Sequence, residues 1–96
     1  MDMNNWLFKE SKNTMVFTTK KIVRENDPIL YVYHDEEDGA WQFHHGESVE
    51  VIDAEILALH EIVERDSTVN ELSNLPMGWM AWRESKILPW TRAQML

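Results

Sequence analysis

A small α+β domain, with a small antiparallel sheet and one or two helices packed on one of its faces, is predicted by three features of this sequence. Short β-branched and aromatic runs are separated by Asn-Asp-Pro and Asp-Gly turn signals. One stretch, residues 52–65, carries apolar residues at helical spacing. A length of 96 residues with 44% hydrophobic content supports one modest core and a single domain.

The elements follow in chain order. Residues 1–13 are polar and read as loosely held, with Trp6 and Phe8 as the groups able to pin them. Met15-Val16-Phe17-Thr18 reads as a strand, and Thr18 or Thr19 can cap a helical turn over residues 20–24. Asn26-Asp27-Pro28 turns the chain into Ile29-Leu30-Tyr31-Val32-Tyr33-His34, apolar or aromatic on both faces and therefore expected at the sheet centre. A hairpin loop, Asp35-Glu36-Glu37-Asp38-Gly39, leads to a return strand over residues 40–44, with Trp41 and Phe43 on one face. After a turn at His45-Gly46-Glu47, residues 48–52 alternate as a strand, with Val49 and Val51 on one side.

In residues 52–65, Ile52, Ile56, Leu59 and Val63 form a helical stripe. Leu57 does not fit it, so a second reading keeps residues 56–59 extended and starts a shorter helix near His60. Asp66 or Thr68 can cap another short helix, Thr68 through a Thr-x-x-Glu box with Glu71, and Pro76 ends it. Residues 77–83 read as a last, well-covered strand. Residues 91–96 are expected to fray.

Charge is unevenly spread. The chain carries a net −8, yet residues 35–66 hold eleven acids against one base, Arg65, while both flanks are near +1. Nucleic acid is a poor partner for that field, since binding it requires cations that displace condensed counterions. A basic protein is a compatible one. The plainer reading is a solvated face that aids solubility. Without cysteine there is no disulfide, thiolate nucleophile or cysteine metal site. No run reaches the roughly 20 apolar residues of a membrane span, and no secretory apolar region of about 7–15 residues opens the chain. A cytoplasmic, bacterial protein is the expectation.

Catalytic motifs are missing. The histidines, His34, His44, His45 and His60, form no His-Glu-x-x-His or similar ligand pair and read as strand-end groups on a wet surface; the alternative is a proton-transfer or small-ligand site. Residues 35–38 lack the ligand spacing of a calcium loop. No serine has a nucleophile-elbow context, and three scattered glycines make no phosphate loop. No catalytic, cofactor or metal residue is assigned. Binding is the better-supported class: Trp79, Trp82 and Arg83 on the C-terminal strand, and Asp35, Glu36, Glu37 and Asp38 at the hairpin tip, are the candidates. Trp41 and one of Trp79 or Trp82 belong in the core, and the other tryptophan is partly exposed.

Three stretches resemble a known group. They are Val16-Phe17-Thr18-Thr19-Lys20-Lys21-Ile22-Val23, then Pro28-Ile29-Leu30-Tyr31-Val32-Tyr33 with Asp38-Gly39-Ala40-Trp41-Gln42-Phe43, and then Asp66 through Leu75 into Pro76-Met77-Gly78-Trp79-Met80-Ala81-Trp82-Arg83. The pattern is similar to small bacterial domains grouped with the immunity proteins of polymorphic toxin systems. The resemblance implies an α+β fold and a role in binding a toxin, with no catalytic residues carried over. The expected function is therefore a small acidic binding protein, by that resemblance an immunity protein occluding a basic toxin. The alternative is a small-ligand or hydrolytic module using histidine and carboxylate groups. Oligomeric state is open.

Overall fold

The computed structural model describes residues 6–47 and 50–95. Strand β1 (Met15–Thr19) runs directly into helix α1 (Lys20–Glu25), because the Thr19 hydroxyl accepts the Ile22 N–H at 3.3 Å and sets the helix start. Asn26, in the left-handed conformation at φ 61°, ends α1. Strands β2 (Tyr31–His34) and β3 (Trp41–His44) then pair as the expected hairpin around residues 35–40.

Next come a 3₁₀ turn (Val51–Asp53), β4 (Ala54–Ala58), α2 (Leu59–Arg65), a 3₁₀ segment (Ser67–Leu72), β5 (Trp79–Trp82) and β6 (Thr91–Gln94). The strands form one sheet in the order β4-β1-β3-β2-β5-β6. The fold is α+β, as expected, but the sheet is mixed. Four neighbouring pairs are antiparallel, whereas β1 and β3 are parallel. The chain leaves β1 through α1 and enters β2 before β3 returns beside β1, and that crossover imposes the parallel pair.

Side chains facing one way from the sheet make the core. Val16, Val32, Trp41, Phe43 and Ala81 pack with Ile22 of α1, Leu59 and Ile62 of α2, and Val69 and Leu72 of the 3₁₀ segment. Both helices therefore lie on a single face. Trp41 is the centre of this layer. His34 stacks on it at 3.9 Å with a 14° tilt, and Phe8 meets its edge at 5.3 Å.

Several expectations are corrected. Of the two readings of residues 52–65, the chain takes the one with an extended segment, β4, before a shorter helix, α2. Residues 54–58 pair with β1 over five registers, and Leu59 and His60 donate to Thr14 and Lys12 carbonyls before the helix takes over. Glu61 fixes the helix start by accepting the Ala58 N–H at 2.9 Å. Of the predicted strand at 48–52, residues 48 and 49 lie outside the described residues, and Val51 and Ile52 sit in an exposed 3₁₀ turn. Asp66, not Thr68, caps the 3₁₀ segment, accepting the Thr68 N–H at 3.0 Å.

Of the segment 1–13, residues 1–5 lie outside the described residues, and Phe8, buried in the core, pins the chain as expected, so it is not loose there. Nor do residues 91–94 fray. They pair with β5 as an edge strand, and Arg92 ties back to the Glu71 carbonyl and Asn74. Among the described residues strand 79–82 is therefore the fifth of six, and β2 is central but covered on one face only. Among the described residues no helix is long and apolar enough to cross a membrane.

Candidate interaction surface

The face of the sheet opposite the helices carries an ordered set of large side chains. Because the register is continuous, Ile56, Phe17, Gln42, Tyr33, Met80 and Ala93 line up across all six strands. Two residues along the strands, His44, Tyr31, Trp82 and Thr91 form a second row. Phe17 is 46% exposed, Ile56 57% and Met15 58%. Side chains that alternate with the core residues of their own strands have nowhere else to point. The result is an apolar and aromatic surface of the kind that marks interaction sites when contiguous.

A polar chain crosses it. The Gln42 amide N–H₂ donates to Asp35 Oδ2 at 2.7 Å, so the amide oxygen faces His44. His44 Nε2, at 3.0 Å, must then be the protonated ring nitrogen, which leaves Nδ1 as an acceptor. Tyr33 meets the His44 ring edge-on at 5.4 Å. Burial lowers the His44 pKa and neighbouring His45 adds to the shift, while Asp35 pulls the other way. Burial, with Tyr31 adding, raises Tyr33 above the ordinary phenol value, so its hydroxyl stays a donor at neutral pH.

Acids stand at both ends. At one end are residues 35–38, with Glu36, Glu37 and Asp38 exposed. At the other, Glu47 joins Tyr31, Tyr33, His44 and Gly46 around a shallow depression, and Glu84 joins Trp82 and Tyr31 around its neighbour. Gly46, at φ 105°, lets the chain fold over Tyr31, and a β-carbon there would lie 3.3 Å from the ring.

The predicted binding residues separate. Trp82 is on the open face, beside Tyr31. Trp79 is on the helix side and packs partly against the core. Arg83 is 3% exposed and is internal: it pairs with Asp66, bonds twice to the Ile29 carbonyl and lies 3.9 Å over the Trp90 ring. Reading it as a surface group beside an exposed tryptophan is corrected, because strand alternation turns it inward to serve the Asp66 carboxylate. Burial tends to raise the Asp66 pKa, but hydrogen bonds from Thr68 and Arg83 outweigh it and hold it low.

The histidines are not uniformly wet either. His34 and His45 are buried, His45 through a 2.9 Å bond to Thr19, and only His60, paired with Glu64, and His44 remain near solvent. Among the described residues no three histidine, cysteine or acidic side chains converge as a metal site. Phe17, Ile56, Met15, Tyr31, Tyr33 and Met80 were not singled out from the sequence. Strict alternation with core residues was the available signal. No family model, curated protein or solved structure matches the chain.

Proposed function

We propose that this protein is an acidic binding protein that holds a basic protein partner against the open face of its sheet. By the resemblance of its motifs it is a bacterial immunity protein that occludes a toxin. The observation that carries this reading is the set of aromatic and apolar side chains on the open face, crossed by Gln42 and His44, with carboxylates at both ends. Tyrosine and tryptophan supply large contact area with a polar handle, the composition that dominates binding hot spots. The flanking acids favour a cationic partner and oppose a second copy of this chain, which would bring two charges of −8 together.

The test begins with capture of the partner from the native host and continues with the purified pair. Changing Asp35, Glu36, Glu37 and Asp38 to lysine should slow association, and slow it most at low salt, where the Debye length is about 30 Å rather than about 8 Å at 0.15 M. Trp82→Ala should instead speed dissociation. An association rate indifferent to both salt and charge reversal would leave the acids as a solvated tip and remove the electrostatic half of the proposal.

A further inference from the structure

On the helix side of the sheet, at the hairpin end, lies a recess of about 550 Å³ whose lining includes Lys9, Glu10, His34, Leu75, Pro76 and Met77. Its inner wall has an unusual polar composition. His34 is 8% exposed, and its ring is held by its stack on Trp41. His34 Nδ1 lies 2.7 Å from the Leu75 carbonyl, which can only accept, so Nδ1 carries the proton. In the neutral ring Nε2 is then a lone pair, and it has no hydrogen-bond partner.

A second acceptor stands close to Nε2. Glu10 Oε2 stands 3.7 Å away and already takes the Trp41 indole N–H at 3.0 Å. With the ring neutral, two acceptors face each other with no donor between them, and an unmatched buried acceptor is costly. One nitrogen with several N–H groups, seated about 2.9 Å from each once Glu10 has moved to make room, would satisfy both at once. An ammonium does this better than a planar guanidinium, whose donors are fixed in a fork.

The surroundings suit such a group. Leu75, Pro76 and Met77 offer an apolar wall for an aliphatic stem. The acidic hairpin is adjacent. Gly78 N–H bonds to the His34 carbonyl at 2.7 Å, and Glu36 lies against Gly78 closely enough that a β-carbon would sit 3.3 Å from its carboxylate oxygen. Among the described residues, Lys9, exposed at the rim, is the one lysine or arginine on the lining. Entry requires the Glu10 side chain, 24% exposed, to swing aside.

We propose that this recess takes a lysine side chain of the basic partner, its ammonium bridging Glu10 and His34 and its stem on Leu75, Pro76 and Met77. The inference deepens the docking reading and rests on it for the source of the cation; the site itself stands on the two facing acceptors.

The test needs no partner, so its failure is distinct from failure of the docking reading. The full chain is titrated with N-acetyl-lysine N-methylamide while NMR follows His34 Nε2 and the Trp41 indole N–H. Saturable shifts of both are expected, with millimolar affinity for so small a probe. Glu10→Gln keeps an acceptor for Trp41 but should weaken binding about tenfold or more without changing the melting temperature. The norleucine analogue, with the same stem and no ammonium, should leave both signals in place. Unmoved signals with the lysine probe, or equal shifts with norleucine, would overturn the site. Spermidine binding about tenfold tighter than the lysine probe would overturn the assignment to a partner's side chain in favour of a free polyamine.

Discussion

The two faces of this sheet are made by the same strands, yet they answer to different demands. On the helix side Val32, Trp41, Phe43 and Ala81 are at most 1% exposed and pack against both helices. One residue away along each strand, Tyr31, Tyr33, Gln42, His44, Met80 and Trp82 are only half-buried, and a polar chain runs among them. A sheet covered on one side ordinarily turns polar side chains to water. Here the uncovered side keeps large aromatics, and folding alone does not require them.

Trp41→Ala should sharpen that contrast most. It empties the centre of the covered layer and should cost about 3–5 kcal/mol, enough to threaten the fold of a chain this small. Chemical denaturation reads it directly. Asp66→Ala should follow closely, at about 3–5 kcal/mol, because it leaves the Arg83 guanidinium buried without its counter-ion. The pH dependence has a definite sign. Asp66 is held below its ordinary value, so its contribution is present above about pH 4 and is lost as pH falls through the lower folded value. Wild type should therefore lose stability on strong acidification more steeply than the Asp66 variant.

The open face should respond weakly by the same measure. Phe17→Ser or Tyr33→Ser removes cross-strand contacts worth under about 1 kcal/mol, and thermal melting should shift by only a few degrees. A loss as large as that of Trp41→Ala would mean that both faces serve stability. The smallest effect belongs to His44. Its folded pKa is lowered, so the unfolded chain binds the proton more readily, and stability should rise with pH in the window just below about 6.5. His44→Gln should flatten that slope in melts taken between about pH 5 and 7.

What the sequence revealed follows the strength of local signals. The β2–β3 hairpin was legible because Asp-Gly and the Trp41/Phe43 alternation agree on one register. The Thr19 cap was legible for a similar reason, a hydroxyl placed just before a helical turn. Residues 54–58 were ambiguous because Ile52, Ile56, Leu59 and Val63 satisfy a helical period, and only the unpaired edge of β1 decides for a strand. β6 was invisible: Thr91, Arg92, Ala93 and Gln94 carry no apolar pattern, and backbone pairing with β5 supplies their order.

The candidate surface was half legible. Exposure of one tryptophan was expected, but which one depends on strand phase, and the rows that join Ile56 to Ala93 exist only once the strand order is known. Arg83 was misplaced for the same reason. His34 was set aside with the other histidines because its partners, Glu10 and Leu75, are 24 and 41 residues away in sequence and no local pattern links them.

The most direct test of the two-face account measures stability and partner affinity on the same variants. With the captured partner purified, Phe17→Ser, Tyr33→Ser and Trp82→Ala should keep near-native melting while each weakens binding about tenfold or more. A mild covered-face change, Val32→Ala, should lower melting clearly yet bind normally below its transition. If the open-face variants bind like wild type, or weaken binding only in proportion to lost stability, the exposed aromatic rows are not where the partner sits.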